Sequence, residues 1–91
     1  MNSPAFVVLN KTGAELARKI APHVSGAEVH GLKARLSGVD LSFEKTADHL
    51  RNLFSEDRAI IAVLSAGIVI RALAPLLADK TKEPPVLIIS E

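Results

Sequence analysis

The apolar positions fall into short blocks of two alternating kinds along the chain. Ala5-Phe6-Val7-Val8-Leu9 is a continuous apolar run between Pro4 and Asn10, and it predicts a strand buried on both faces. Thr12-Gly13-Ala14-Glu15 then matches a capping box, with the Thr12 hydroxyl at the helix start. Leu16, Ile20 and the intervening alanines extend that helix until Pro22 ends it. Ala27–Leu32 and Val39–Phe43 read as weaker strands separated by Ser37-Gly38, the first interrupted by His30 and Gly31. Helical spacing returns over Thr46–Phe54, with Ala47, Leu50, Leu53 and Phe54 on one side.

The second half of the chain repeats the alternation more strongly. Ala59–Leu64 predicts another buried strand, and Ser65-Ala66-Gly67 turns the chain into a helix. There Val69, Leu73, Leu76 and Leu77 form a core-facing stripe. Asp79–Glu83 is a polar connection, and Pro84-Pro85 lead into a last strand, Val86–Ile89. Strands alternating with helices predict a small three-layer α/β domain over residues 1–91, with a mainly parallel sheet. The chain stops two residues after that strand, which points to truncation inside a longer protein.

Composition narrows the partners. Eleven basic against ten acidic residues give a formal charge of +1, too weak a field to suggest nucleic acid. No Trp or Tyr is present to stack bases. The absence of Cys excludes disulfides, zinc thiolates and a cysteine nucleophile. Ala59–Ala78 approaches the roughly 20 residues that span a bilayer, but Ser65, Gly67, Arg71 and Pro75 interrupt it. A central Arg costs a few kcal/mol in lipid. These features predict a soluble, cytoplasmic protein.

Two strand-to-helix turns carry the candidate chemistry. At Ser65-Ala66-Gly67 small side chains let a ligand reach backbone N–H groups at a helix start, and Arg71 follows one turn later. The alternative is structural: Ser65 caps, Gly67 eases packing and Arg71 pairs with a surface acid. Asn10-Lys11-Thr12-Gly13 is a second such turn, where Thr12 serves as a ligand contact or simply as a cap. Both turns would open at the carboxyl edge of a parallel sheet, where ligands of such sheets bind. Neither carries a Walker loop or a dinucleotide fingerprint. His23, His30 and His49, with Asp40 or Asp48, have no spacing that requires a metal, so no metal site is expected. His30 is either a proton donor facing the cleft or a surface or half-buried histidine.

The segment Ser65-Ala66-Gly67-Ile68-Val69-Ile70-Arg71-Ala72-Leu73-Ala74-Pro75-Leu76-Leu77-Ala78-Asp79-Lys80, then Glu83-Pro84-Pro85-Val86 and an aliphatic strand, resembles the N-terminal domain of cobalamin biosynthesis protein G. Ala47-Asp48-His49-Leu50-Arg51-Asn52-Leu53-Phe54 upstream agrees with it. The resemblance covers Thr46–Glu91 well and Ala5–Phe43 loosely.

It implies a role in making the corrin ring, with a precorrin intermediate as partner. Stand-alone members open the ring-A lactone of cobalt-precorrin-5A and release acetaldehyde. A similar domain is fused ahead of precorrin-3B C(17)-methyltransferase, which uses S-adenosylmethionine. His30-Gly31-Leu32 and Arg71–Pro75 look closer to the fused form. The resemblance thus implies no cofactor in this domain, and S-adenosylmethionine only where the parent carries the methyltransferase. The family's Gly-His-x-Gly-Gly-Ala-Asn segment is absent, so no catalytic residue is assigned and the fragment alone is not expected to be active. Ala66, Gly67 and Arg71 lie on the motif, and with Thr12 and Ser65 they form the expected substrate contacts. Precorrin carboxylates suit helix N-termini and an Arg, and an aliphatic cleft around Ile68 and Ile70 suits the ring faces. The alternatives are a docking or homodimerisation module using the apolar edge at Val86–Ile89, alone or against downstream domains of the same chain, and a generic small-anion binder at the Ser65–Gly67 turn.

Overall fold

The computed structural model describes residues 3–77 and 83–90. Its strands are β1 (Ala5–Val8), β2 (Glu28–Leu32), β3 (Leu41–Phe43), β4 (Ile60–Val63) and β5 (Val86–Ile88), and its α-helices are α1 (Lys11–Ile20), α2 (Thr46–Ser55) and α3 (Ala66–Leu73). The strands form one parallel sheet in the order β3-β2-β1-β4-β5. The expected three-layer α/β arrangement is the one observed.

Side-chain alternation assigns the layers. In β1, Phe6 and Val8 face α1 with Ala14, Ala17, Val29 and Val63. Ala5 and Val7 face α2 and α3, where Leu50, Leu53, Phe54, Val69, Ala72 and Leu73 complete the larger core cluster. All four β1 residues are buried, as expected of a central strand covered on both faces. The order of the strands explains the split. From β1 the chain moves one way to β2 and β3, then crosses back to β4 and β5. Right-handed crossovers in opposite directions place their helices on opposite faces.

Local signals were read correctly in kind and displaced in detail. The cap of α1 is Asn10, not Thr12: its Oδ1 accepts from Gly13 N at 2.8 Å, and its extended backbone joins β1 directly to the helix. Thr12 lies inside the first turn and is exposed. An amide one step out of the strand reaches the orphan N–H groups first, so the capping box never forms. Pro22 ends its helix as expected, within the 3-10 turn Ala21–His23, whereas the helix expected to run on through Pro75 stops at Leu73 and gives way to the 3-10 turn Ala74–Leu76. The tighter winding rotates later positions off the α-helical stripe. Leu76 is therefore only half-buried, and Leu77, expected in the core, is 41% exposed.

β2 runs straight through His30 and Gly31. The end of α2 carries a signal the sequence reading passed over. Asp57 adopts φ 58°, with Asp57 N donating to Phe54 O and Arg58 N to Leu53 O. This is a Schellman ending with Asp in the glycine position, and it aims Arg58 at the start of the sheet. Of the predicted polar connection Asp79–Glu83, residues 79–82 lie outside the described residues.

Candidate functional site at the carboxyl edge of the sheet

β1 and β4 are neighbours, yet the chain leaves β1 for α1 on one face and β4 for α3 on the other. Such a divergence opens a crevice at the carboxyl ends of the strands, the usual ligand position in open α/β sheets. A cleft of about 330 Å³ lies there, lined by Leu9, Asn10, Leu64, Ser65, Ile68 and Ser90. Its floor is aliphatic, from Leu9, Leu64 and Ile68, and its polar groups come from the two predicted turns and from Ser90.

Of the expected contact residues, the cleft contains Ser65. Ala66 and Gly67 open α3 beside it. Ser65 stands at the N-cap position of α3 but makes no side-chain capping bond, so its hydroxyl is not consumed as the structural reading required. Within the helix the first bonds back to Ser65 O come from Ile68 N at 3.1 Å and Val69 N at 3.4 Å. The Ala66 and Gly67 amides are thus the orphan donors of the first turn.

Arg71 does not line the cleft but folds back along α3 towards it. Its Nη2 lies 3.9 Å, and Ser65 Oγ 3.8 Å, from where a Cβ on Gly67 would stand. The guanidinium thus lies over the first turn, at ordinary contact distance from that position. Arg71 is exposed and forms no hydrogen bond or ion pair with another described residue, so no acid among the described residues pairs with it. A cation and the positive end of a helix dipole converge at one point, which favours an anion between them.

The other turn is corrected in detail. Asn10, not Thr12, is its cleft residue, and Thr12 is exposed in the first turn of α1. Asn10 went unnoticed because it was read as a strand boundary. Ile68 lines the cleft as expected, whereas Ile70 points outward at 59% exposure, since positions two apart on a helix face different ways.

His30 does not face the cleft either. It lies in the middle of β2, fully buried, with Glu28 on one ring nitrogen and His49 on the other. Glu28 in turn accepts from Arg58 Nη2 at 2.6 Å. The hydrogen bond from His30, then Arg58, holds the Glu28 carboxyl below its usual range. Asp40 accepts from Val29 N, and Asp48 pairs with Arg51. No three metal-ligating side chains converge among the described residues. Nor is any described helix long and apolar enough to cross a membrane.

Comparison with known proteins agrees with the half of the chain that builds the Ser65–Arg71 turn. Residues 48–91 match the family model described as cobalamin synthesis G N-terminal. A cobalt-precorrin-5A hydrolase of Priestia megaterium is 27% identical over 93 residues, covering 96% of this chain and 25% of that protein. The chain therefore spans about a quarter of the length of this curated relative. No solved structure matches. The family match therefore falls on the residues that carry most of α2, then β4, the Ser65–Gly67 turn, α3 and β5.

Proposed function

We propose that this domain serves cobalamin biosynthesis by holding a carboxylate-bearing edge of a corrinoid intermediate at the carboxyl edge of its sheet. The observation that carries the reading is the convergence of the Arg71 guanidinium with the α3 N-terminus beside an aliphatic cleft. A precorrin side-chain carboxylate would accept from the Ala66 and Gly67 amides and from Arg71, as oxyanions do at helix starts. Leu9, Leu64 and Ile68 would then meet the apolar flank of the ring. At about 330 Å³ the cleft takes one edge of such a ligand, so the remainder would rest on downstream domains of the same protein. Thr12, which does not line the cleft, drops out of the contact set, and Asn10 takes its place.

Similarity to a cobalt-precorrin-5A hydrolase supports a lactone-opening parent over a fused methyltransferase, and in that parent S-adenosylmethionine has no part. The domain itself would need no cofactor. A docking role is the second reading, favoured by β5 at the edge of the sheet with Leu87 58% exposed.

Titration of the chain with a cobalt-precorrin, followed by absorption, tests both. The binding reading expects saturable spectral change, weakened about tenfold or more by Arg71→Ala, because a charge-assisted hydrogen bond contributes roughly 1.5–3 kcal/mol. Absence of binding together with self-association would favour docking. Unchanged affinity in Arg71→Ala would overturn the assigned contact.

A further inference from the structure

A polar chain runs under α2, separate from the cleft. Arg58 Nε donates to Ser3 O at 2.8 Å, and its Nη2 reaches Glu28 at 2.6 Å. Glu28 accepts from His30 Nε2 at 3.0 Å. With that nitrogen carrying the proton, His30 Nδ1 is left to accept from His49 Nε2–H at 2.8 Å. His49 lies flat on Phe43 of β3, with ring centroids 4.5 Å apart. One connected set of side chains thus joins the chain before β1 and the start of β4 to β2, β3 and the first turn of α2. His49 is its only member on α2, whose buried residues, Leu50, Leu53 and Phe54, are apolar.

We infer that the His30–His49 pair is an acid-opened latch that holds the first turn of α2 on the sheet. With both rings neutral, the Arg58 cation is already offset by the carboxylates of Glu28 and Glu56. An added proton makes an imidazolium of one of two facing rings under a helix, with the Arg58 cation near and the carboxylate beside His30 already engaged by Arg58. Lifting α2 hydrates the imidazolium. The groups around His49 offer no relief. β2 presents His30 and Glu28, the start of β4 presents Arg58, and β3 presents the apolar Phe43. On α2 itself Asp48 is held by Arg51, and beyond β2 and β3 Glu44 pairs with Lys33.

Burial, then His30 and Arg58, push His49 down to about 4 from its ordinary 6.5. The sign follows. The closed form excludes a proton that the open form takes up below about pH 6.5, so the latch is fully closed above that pH and weakens as pH falls towards 4. Arg51 Nε donates to Ala72 O at 2.9 Å, so release of α2 also frees the helix that carries Arg71. The inference stands whether or not the cleft takes a corrinoid.

Amide hydrogen exchange on the chain at pH 7.5 and pH 5, corrected for intrinsic rates, tests it. Protection over Leu50–Phe54 of α2 should fall roughly ten- to thirtyfold, the linkage of one proton over that interval, while Ala14–Arg18 of α1 changes far less. His49→Gln keeps an N–H for His30 Nδ1 without titrating, and should flatten the pH response of α2. Equal acid loss in α1 and α2, or an unchanged pH response in His49→Gln, would overturn the latch. Should that variant not fold, the His49 ring signals decide in the wild-type chain: titration near 6.5 with α2 still protected would refute it.

Discussion

Gly31→Ala is the most direct test of the packing described here. Gly31 is buried in β2 between Val8 of β1 and Ser42 of β3. A Cβ there would stand 2.8 Å from Val39 Cγ1, 3.3 Å from Val39 Cγ2 and 3.1 Å from Leu36 Cδ1. Carbon atoms prefer about 3.5–4.0 Å, so Val39 must retreat by roughly 1 Å.

It cannot do so cheaply. Val39 is β-branched and stiff about χ1, and its loop is pinned by Asp40 N to Val29 O, by Val29 N to Asp40 Oδ2 and by Leu36 N to Leu32 O. Overpacking of this kind costs about 1–3 kcal/mol, and a pinned contact on two sides belongs near the middle, about 2 kcal/mol. For a domain of this size that lowers Tm by roughly 8–16 °C. Thermal unfolding followed by far-UV circular dichroism measures it, with a urea titration to show that the m-value is unchanged. A Tm within about 2 °C of the wild type would mean that Val39 moves freely, and the loop packing argued here would be wrong.

Two further outcomes follow from the same structure. Asn10→Ala should cost about 1 kcal/mol and lower Tm by roughly 4–8 °C, while Thr12→Ala costs little, because Asn10 caps α1 and Thr12 is exposed; the opposite order in a melting experiment would restore the Thr12 cap. Arg58→Met should cost about 2 kcal/mol in urea unfolding, since it leaves Ser3 O without its donor and Glu28 with His30 as its remaining one. The figure stays below that for a fully buried pair because the Glu28 side chain is 44% exposed, and a loss under about 0.5 kcal/mol would show the ion pair to be incidental.

What the linear order of residues determined is the set of elements and their class. Apolar runs such as Phe6–Val8 and Ile60–Val63 fit strands covered on both faces, and helices between them favour parallel pairing with crossovers. The Ser65-Ala66-Gly67 turn with Arg71 was legible for the same local reason: small residues after a buried strand mark a helix start, and the residues around them carry a family pattern. Local competition was harder to read. Asn10 and Thr12 both suit a cap, and only the exit direction of β1 decides between them.

Tertiary structure alone decided the rest. Nothing in the local pattern places β1 beside β4, although that pairing creates the cleft and brings Asn10, Ser65 and Ser90 to one edge. Nothing in it brings Glu28, His30, His49 and Arg58 together, because they come from three segments and meet only when α2 docks on the sheet. Hydrophobic periodicity reports which face of an element is covered. It does not report what covers it, and a buried histidine in a strand looks like an interruption until His49 arrives from α2 to complete its partners.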